Sequence, residues 1–355
     1  MTRLRDLGVV IGRLPAGESN AITDVPGIQV GHVTVTRDEP TVVRTGVTMV
    51  VPRENTIWDD YAFCGWHSFN GNGEMTGLPW IDESGMLGSP IGITNTHQVG
   101  LVRDSLVRYA VDNRQENGFI LPVVAETYDG WLSDAGSFPL VEADALAAVD
   151  GAAGGQIAEG NVGGGTGMIC HEFKGGIGTS SRVVDLAMHT YTVGVLVQAN
   201  YGSRSDLRID GVAIGRYLGY DRVPAPWPDQ ERDGSIIVVI ATDAPLIPVQ
   251  CSRLARRATV GLARVGGVGH NGSGDLFLAF ATGNRLPAGV KTHRELRMLP
   301  HESLDKFFVA VADATEEAIL NALLAAETMT GYRNRTAHAL PVDDVVEVLK
   351  RYPAV

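Results

Sequence analysis

The run Ser235–Thr242 (SIIVVIAT) sets the tightest limit on what this chain can become. Its interior is wholly apolar and mostly β-branched, and it is bounded by Gly234 on one side and Asp243-Ala-Pro on the other. A segment that short and that apolar reads as a strand covered on both faces. A strand with no solvent face needs a layer on each side, so the expected fold is layered, α/β or α+β, with sheets buried by helices. Further β-branched runs at Ile28–Val35, Val42–Val51, Phe119–Ala125 and Tyr191–Ala199, and the short apolar run Leu276–Phe280, supply strands for such sheets. Apolar residues three and four apart predict helices over Leu101–Asn113, Val249–Val265, Ser303–Met329 and Val342–Arg351. No 20–50-residue repeat accompanies them.

Composition narrows the classes. Glycine contributes 43 of 355 residues, about 12 % against an average near 7 %. The glycines follow no period, which assigns them to tight turns and close backbone approaches rather than to a fibre. A formal charge of −12 argues against a general phosphate- or nucleic-acid-binding surface. The one basic cluster, Arg253, Arg256 and Arg257, has the spacing of a solvated helix face. Cys64, Cys170 and Cys251 offer neither a CxxC pair nor a disulfide framework and suit a reducing compartment. The opening Met1-Thr-Arg-Leu-Arg-Asp6 meets charge before any apolar stretch, and no run reaches the length of a membrane span. The expectation is a cytoplasmic protein with no membrane or nucleic-acid partner.

Several familiar motifs fail on context. Gly267-Val-Gly-His-Asn-Gly272 matches GxGxxG, but an expected helix precedes it and an expected strand follows, the reverse of a dinucleotide fingerprint. His171-Glu172 begins an HExxH whose second histidine is replaced by Gly175. Ser303-Leu-Asp-Lys306 matches SxxK at a place where Ser303 is expected to cap a helix. There is no GxSxG elbow and no GK[ST] loop. His32, His67, His97 and His270 stand at no ligand spacing, so neither a metal nor a cofactor is expected.

Four short segments keep a chemical reading beside a structural one. Val223–Gly234 is a linker with three prolines and several charges, and it runs straight into the buried strand. Ser235 is thus either a polar residue at a loop-to-strand junction or a nucleophile freed by cleavage of the Gly234–Ser235 bond. In the second case its new α-amine, with a pKa of about 7.7–8.0, can serve as base for its own hydroxyl. Ser273 and Asp275, two apart at a strand entrance, project to one face; they form either a turn or a hydroxyl–carboxylate relay. Asn200 closes the strand Tyr191–Ala199, as turn chemistry or as an oxyanion donor. Glu126 and Tyr128 follow another strand, where the carboxylate could hold a substrate ammonium or simply face water.

These segments together resemble the L-aminopeptidase/D-esterase (D-Ala-esterase/amidase) family, which includes the β-peptidyl aminopeptidases. The resemblance runs through Ile22-Thr-Asp-Val-Pro-Gly27, Gly71-Asn-Gly-Glu74-Met-Thr-Gly77, Asn95-Thr-His97-Gln-Val-Gly100 and Ala125–Gly130. It continues through Gly160–Met168, Phe173–Gly178, Val197–Gly202 and Ser235–Pro245. It implies a single four-layer αββα domain over 1–355, like the N-terminal-nucleophile hydrolases but with a different strand connectivity. It also implies self-cleavage into an α chain 1–234 and a β chain 235–355. Ser235 becomes the nucleophile, Asn200 the oxyanion donor, Ser273 and Asp275 its support, Tyr128 a lining residue and Glu126 the holder of the substrate amine. The substrates implied are short peptides, amino-acid amides or esters with a free, small N-terminal residue, and the assembly implied is a homo-oligomer, (αβ)4. Gly at 234, where some β-peptide cleavers carry Asn, leans toward the aminopeptidase–esterase branch. The other readings are a β-peptidyl aminopeptidase, an ornithine-acetyltransferase-like acyl transferase, which cleaves before Thr, and an uncleaved, inactive relative.

Overall fold

The computed structural model describes residues 2–113, 119–227 and 234–352. In chain order the strands are β1 (Gln29–Arg37), β2 (Val43–Val51), β3 (Asp60–Gly71), β4 (Met86–Leu87), β5 (Ile91–Asn95) and β6 (Val123–Thr127). They continue with β7 (Ile169–Cys170), β8 (Phe173–Lys174), β9 (Gly176–Leu186), β10 (His189–Asn200), β11 (Ser235–Thr242) and β12 (Gly274–Pro287). The helices are α1 (Leu78–Ser84), α2 (Val99–Asn113), α3 (Glu142–Asp150), α4 (Pro248–Ala255), α5 (Ala258–Val265), α6 (Asp305–Leu324) and α7 (Val342–Arg351).

Among the described residues, β11 runs through the interior of a six-stranded sheet of order β4-β3-β12-β11-β10-β9. All eight of its residues are buried. Its side chains alternate between two cores, as a period of two requires. Ile236, Val238 and Ile240 join the core under α4, α5 and α6. Ile237, Val239 and Ala241 join the core shared with a four-stranded sheet of order β1-β2-β5-β6. The outer face of that second sheet is covered by α2 and α3. The order of layers is therefore helix, sheet, sheet, helix, which is the αββα sandwich that the resemblance implies.

The sheets are mixed. β10 pairs antiparallel with β9 and β11, whereas β11 and β12 are parallel, as are β5 and β6. The parallel pair β11–β12 is joined by α4 and α5, the crossover that parallel neighbours need. Glycine makes close layer contact possible: a Cβ on Gly178 of β9 would lie 2.0 Å from the Ala318 carbonyl oxygen of α6. The helix backbone rests on the sheet backbone at that point.

Three expectations are corrected. The run Phe119–Ala125 is a strand only from Val123 onward; Pro122 has no N–H for a ladder, and Phe119 is exposed. The helix expected over Val249–Val265 is two helices separated at Arg256–Arg257. The chain bends there from β3 and β12 toward α6, and the Arg257 guanidinium lies 3.8 Å over the Phe308 ring. The helix expected over Ser303–Met329 spans Asp305–Leu324, and Ser303 does not cap it. Ser303 instead closes a 3-10 turn, in which the Leu304 N–H donates to His301 O. The remaining expected helices and strands follow to within two residues, α7 and β11 to the residue, except that the strand expected over Leu276–Phe280 runs on as β12 to Pro287; of the linker, residues 228–233 lie outside the described residues. Among the described residues, no helix is long and apolar enough to cross a membrane.

Gly178→Ala tests the layer contact. The added methyl must push α6 off β9, which costs about 1–3 kcal/mol and lowers the thermal unfolding midpoint by several degrees.

Candidate active site

Strand ends from both sheets meet at one edge of the sandwich. Asn200 is the last residue of β10 and Ser235 the first of β11, and the two are register partners. The parallel register sets Ile236 opposite Asp275, so the entrance of β12 stands beside that of β11. From the other sheet, β5 ends at Asn95 and β6 at Thr127, which delivers Thr96, His97, Glu126 and Tyr128 to the same place. They enclose a cleft of about 480 Å³ whose walls include Glu126, Tyr128, Asn200, Gly234 and Ser235. Ladder register sets Asn200, Ser235 and the entrance of β12 side by side, and the facing sheet brings Glu126 and Tyr128 to them.

The Ser235 hydroxyl oxygen, largely buried, accepts a hydrogen bond from the Gly274 N–H at 3.0 Å. Ser273 donates its hydroxyl proton to Asp275 Oδ1 at 2.6 Å. That proton is therefore committed, and Ser273 can face a nucleophile only as an acceptor. Burial raises the Asp275 carboxyl to about 6, opposed by the Ser273 hydroxyl and the Ile236 N–H. Asn200 is held at both ends of its amide: Oδ1 accepts from the Ile169 N–H at 2.8 Å, and Nδ2 donates to Tyr128 O at 3.1 Å. One Nδ2 hydrogen remains for the cleft. Gly234 packs its Cα against this residue; a Cβ there would sit 1.9 Å from Asn200 O.

Glu126 faces the cleft from the opposite wall and is 4 % exposed. Its Oε1 accepts from the Glu74 N–H at 3.0 Å and its Oε2 from the Thr96 hydroxyl. Burial raises its pKa, and these two donors oppose the rise. A buried carboxylate with donors on both oxygens and an open face toward a cavity is suited to a cation.

Glu126, Tyr128, Asn200, Gly234 and Ser235 line the cleft, and Ser273 and Asp275 flank Gly274, whose N–H meets Ser235. The sequence reading missed others. His97, set aside for lack of ligand spacing, lines the cleft and packs on Tyr128 with ring centroids 5.8 Å apart. Trp131 and Trp227 meet edge to face, 5.6 Å between centroids, and narrow it. Thr96 lay inside a quoted motif but carried no signal of its role. The Gly274 N–H is a backbone group that no residue pattern reveals.

A four-layer sandwich with a serine at the entrance of a buried strand, opposite an asparagine and a carboxylate, has the architecture of a hydrolase. The chain belongs to peptidase family S58, whose model matches residues 20–337. It is 45 % identical to a β-peptidyl aminopeptidase of Sphingosinicella microcystinivorans, over 99 % of this chain and 92 % of that one. Among solved structures it superposes on a β-aminopeptidase of a Burkholderia species with a TM-score of 0.93 at 47 % identity, covering 99 % of both chains. It superposes equally on the L-aminopeptidase D-Ala-esterase/amidase of Ochrobactrum anthropi, described as a variant of the Ntn-hydrolase fold, with a TM-score of 0.93 at 43 % identity and 99 % coverage of each. The protein is thus a peptidase of the kind the sequence resemblance indicates, and peptides are its substrate class.

The raised pKa of Asp275 has a definite sign in stability. Its native value of about 6 lies above the 3.8 of the free side chain, so the native state binds the proton more tightly. The group's penalty on folding therefore builds as the pH rises from about 3.8 to about 6, is full above that, and is relieved as the pH falls back through this window. Asp275→Asn should raise the unfolding midpoint relative to wild type more near pH 8 than near pH 4.5, measured by calorimetry.

Proposed function

We propose that this peptidase is a self-processing aminopeptidase, amidase and esterase that acts through Ser235. The observation that carries the reading is the placement of Ser235 between Asn200 and Gly274 in a cleft whose far wall is the buried Glu126. The single αββα domain first cleaves its own Gly234–Ser235 bond, giving chains 1–234 and 235–355. The Ser235 hydroxyl attacks the Gly234 carbonyl, the chain shifts from amide to ester, and water releases the ester. Glycine at 234 is supported by the close approach to Asn200 O, which leaves no room for a Cβ.

The mature serine then carries its own α-amine. A substrate with a free N-terminus binds with its ammonium against Glu126. Ser235 Oγ attacks the carbonyl, and its proton passes to the α-amine or to Ser273, whose own proton is directed at Asp275. Asn200 Nδ2 donates to the developing oxyanion, a contribution of roughly 2.7–4 kcal/mol in comparable sites. The leaving amine takes the proton, and water hydrolyses the acyl-enzyme on Ser235. Tyr128, Trp131 and Trp227 narrow the space around the first residue, which favours a small side chain. The names of the relatives favour a second reading of the same chemistry, release of an N-terminal β-residue.

Purified enzyme should run as two chains, the smaller beginning Ser-Ile-Ile-Val. Ser235→Ala should stay one chain and release no p-nitroaniline from alanine p-nitroanilide; an active protein whose mass is that of the intact chain would overturn the assignment. Glu126→Gln should raise KM for free-amine substrates about tenfold or more, equal to about 1.4 kcal/mol, while N-acylated esters react as before. An equal loss on both substrate types would remove the ammonium role.

A further inference from the structure

Lys174 is fully buried, and the chemistry described so far leaves it unused. An interior ammonium ordinarily lies against a carboxylate. Lys174 Nζ instead donates to three main-chain carbonyls: Gly165 O at 3.3 Å, Met168 O at 2.9 Å and Gly175 O at 2.8 Å. Three donors meet three acceptors, the full capacity of an ammonium group. Burial draws the group down to about 7, while the three carbonyl dipoles favour its protonated form.

The carbonyls it gathers belong to the glycine-rich run that borders the cleft. Met168 O also accepts from the Gly175 N–H at 2.9 Å, so the clamp joins the two ends of the β7–β8 hairpin. Gly167 and Ile169, on either side of Met168, line the cleft. The Ile169 N–H is not spent on the hairpin ladder; it donates to Asn200 Oδ1. That bond, together with the Nδ2 donation to Tyr128 O, fixes which end of the Asn200 amide faces the cleft. With it, Oδ1 is occupied and an Nδ2 hydrogen is presented. Without it, a rotated amide can present its oxygen, and an oxygen repels an oxyanion.

We propose that Lys174 is a positioning residue: its three-carbonyl clamp holds the Ile169 N–H against Asn200 and so keeps the Asn200 amide turned to donate into the cleft. This rests on the reading of Asn200 as the oxyanion donor. An interaction felt only in the transition state lowers kcat and leaves KM alone when it is removed. A residue that merely supports the fold has no reason to obey that split.

The test is a kinetic cycle with alanine p-nitroanilide, kcat being expressed per mole of chain that begins at Ser235. Lys174→Met should lower kcat about 10–100-fold with KM within about twofold. In an Asn200→Ala background the same substitution should change kcat less than about twofold, because the donor it positions is already gone. Ile169→Pro removes the one N–H that links clamp to amide and should reproduce the loss; it decides the matter if Lys174→Met does not fold. Full multiplication of the two losses in the double variant, or an undiminished kcat in Ile169→Pro, would overturn the role of Lys174 while leaving Asn200 in place. An unchanged kcat in Asn200→Ala alone would overturn both.

Discussion

The hydrogen-bond register of three neighbouring strands governs the rest of this molecule. β10 descends to Asn200, β11 starts opposite it at Ser235, and β12 starts beside β11 at Gly274. No loop has to find its place for these groups to meet, since a slip of one residue would turn every side chain of β11 to the wrong core. Burial of β11 on both faces is what forbids that slip: its odd and even residues each fill a separate, closely packed interior. A strand that cannot slip without exposing both cores thus carries the serine.

Charge at the site is managed by backbone groups more than by counter-ions. Glu126 receives an N–H and a hydroxyl, Asp275 a hydroxyl and an N–H, and Lys174 three carbonyls. Each of these ionisable groups is removed from water and compensated by fixed dipoles that need no rearrangement during a reaction. The pattern differs from the interior of the helical layer, where Glu317 is paired directly with Arg5 at 2.7 Å and Arg182 at 2.6 Å. Direct pairs hold layers together there. Around the cleft, fixed dipoles take the place of such pairs.

Membership of peptidase family S58 and a strand-for-strand likeness to two aminopeptidases place the chain in its chemical class. The cleft adds the particulars. In the proposed reading, a carboxylate on one wall and a serine on the other set the distance over which a free amine and a scissile carbonyl must both fit. The aromatic pair Trp131 and Trp227, far apart in the sequence, narrows the space between the walls.

Local pattern was enough to reveal β11, α2 and α7, because their periodicity and end residues act over a few positions. It failed at Phe119–Pro122, where a proline without an N–H delays the strand, and at Arg256–Arg257, where only the position of α6 explains the bend. Ser235, Asn200, Ser273, Asp275 and Glu126 were each visible as residues with two readings, and a resemblance spread over most of the chain chose between them. The sequence by itself determined the buried strand, the glycine before it and the family. Tertiary structure alone decided that the Gly274 N–H meets the serine, that His97 lines the cleft and that a lysine clamps three carbonyls. The first two join segments far apart in the chain, the first and third pair a side chain with a backbone group, and neither distance nor backbone direction is written in residue type.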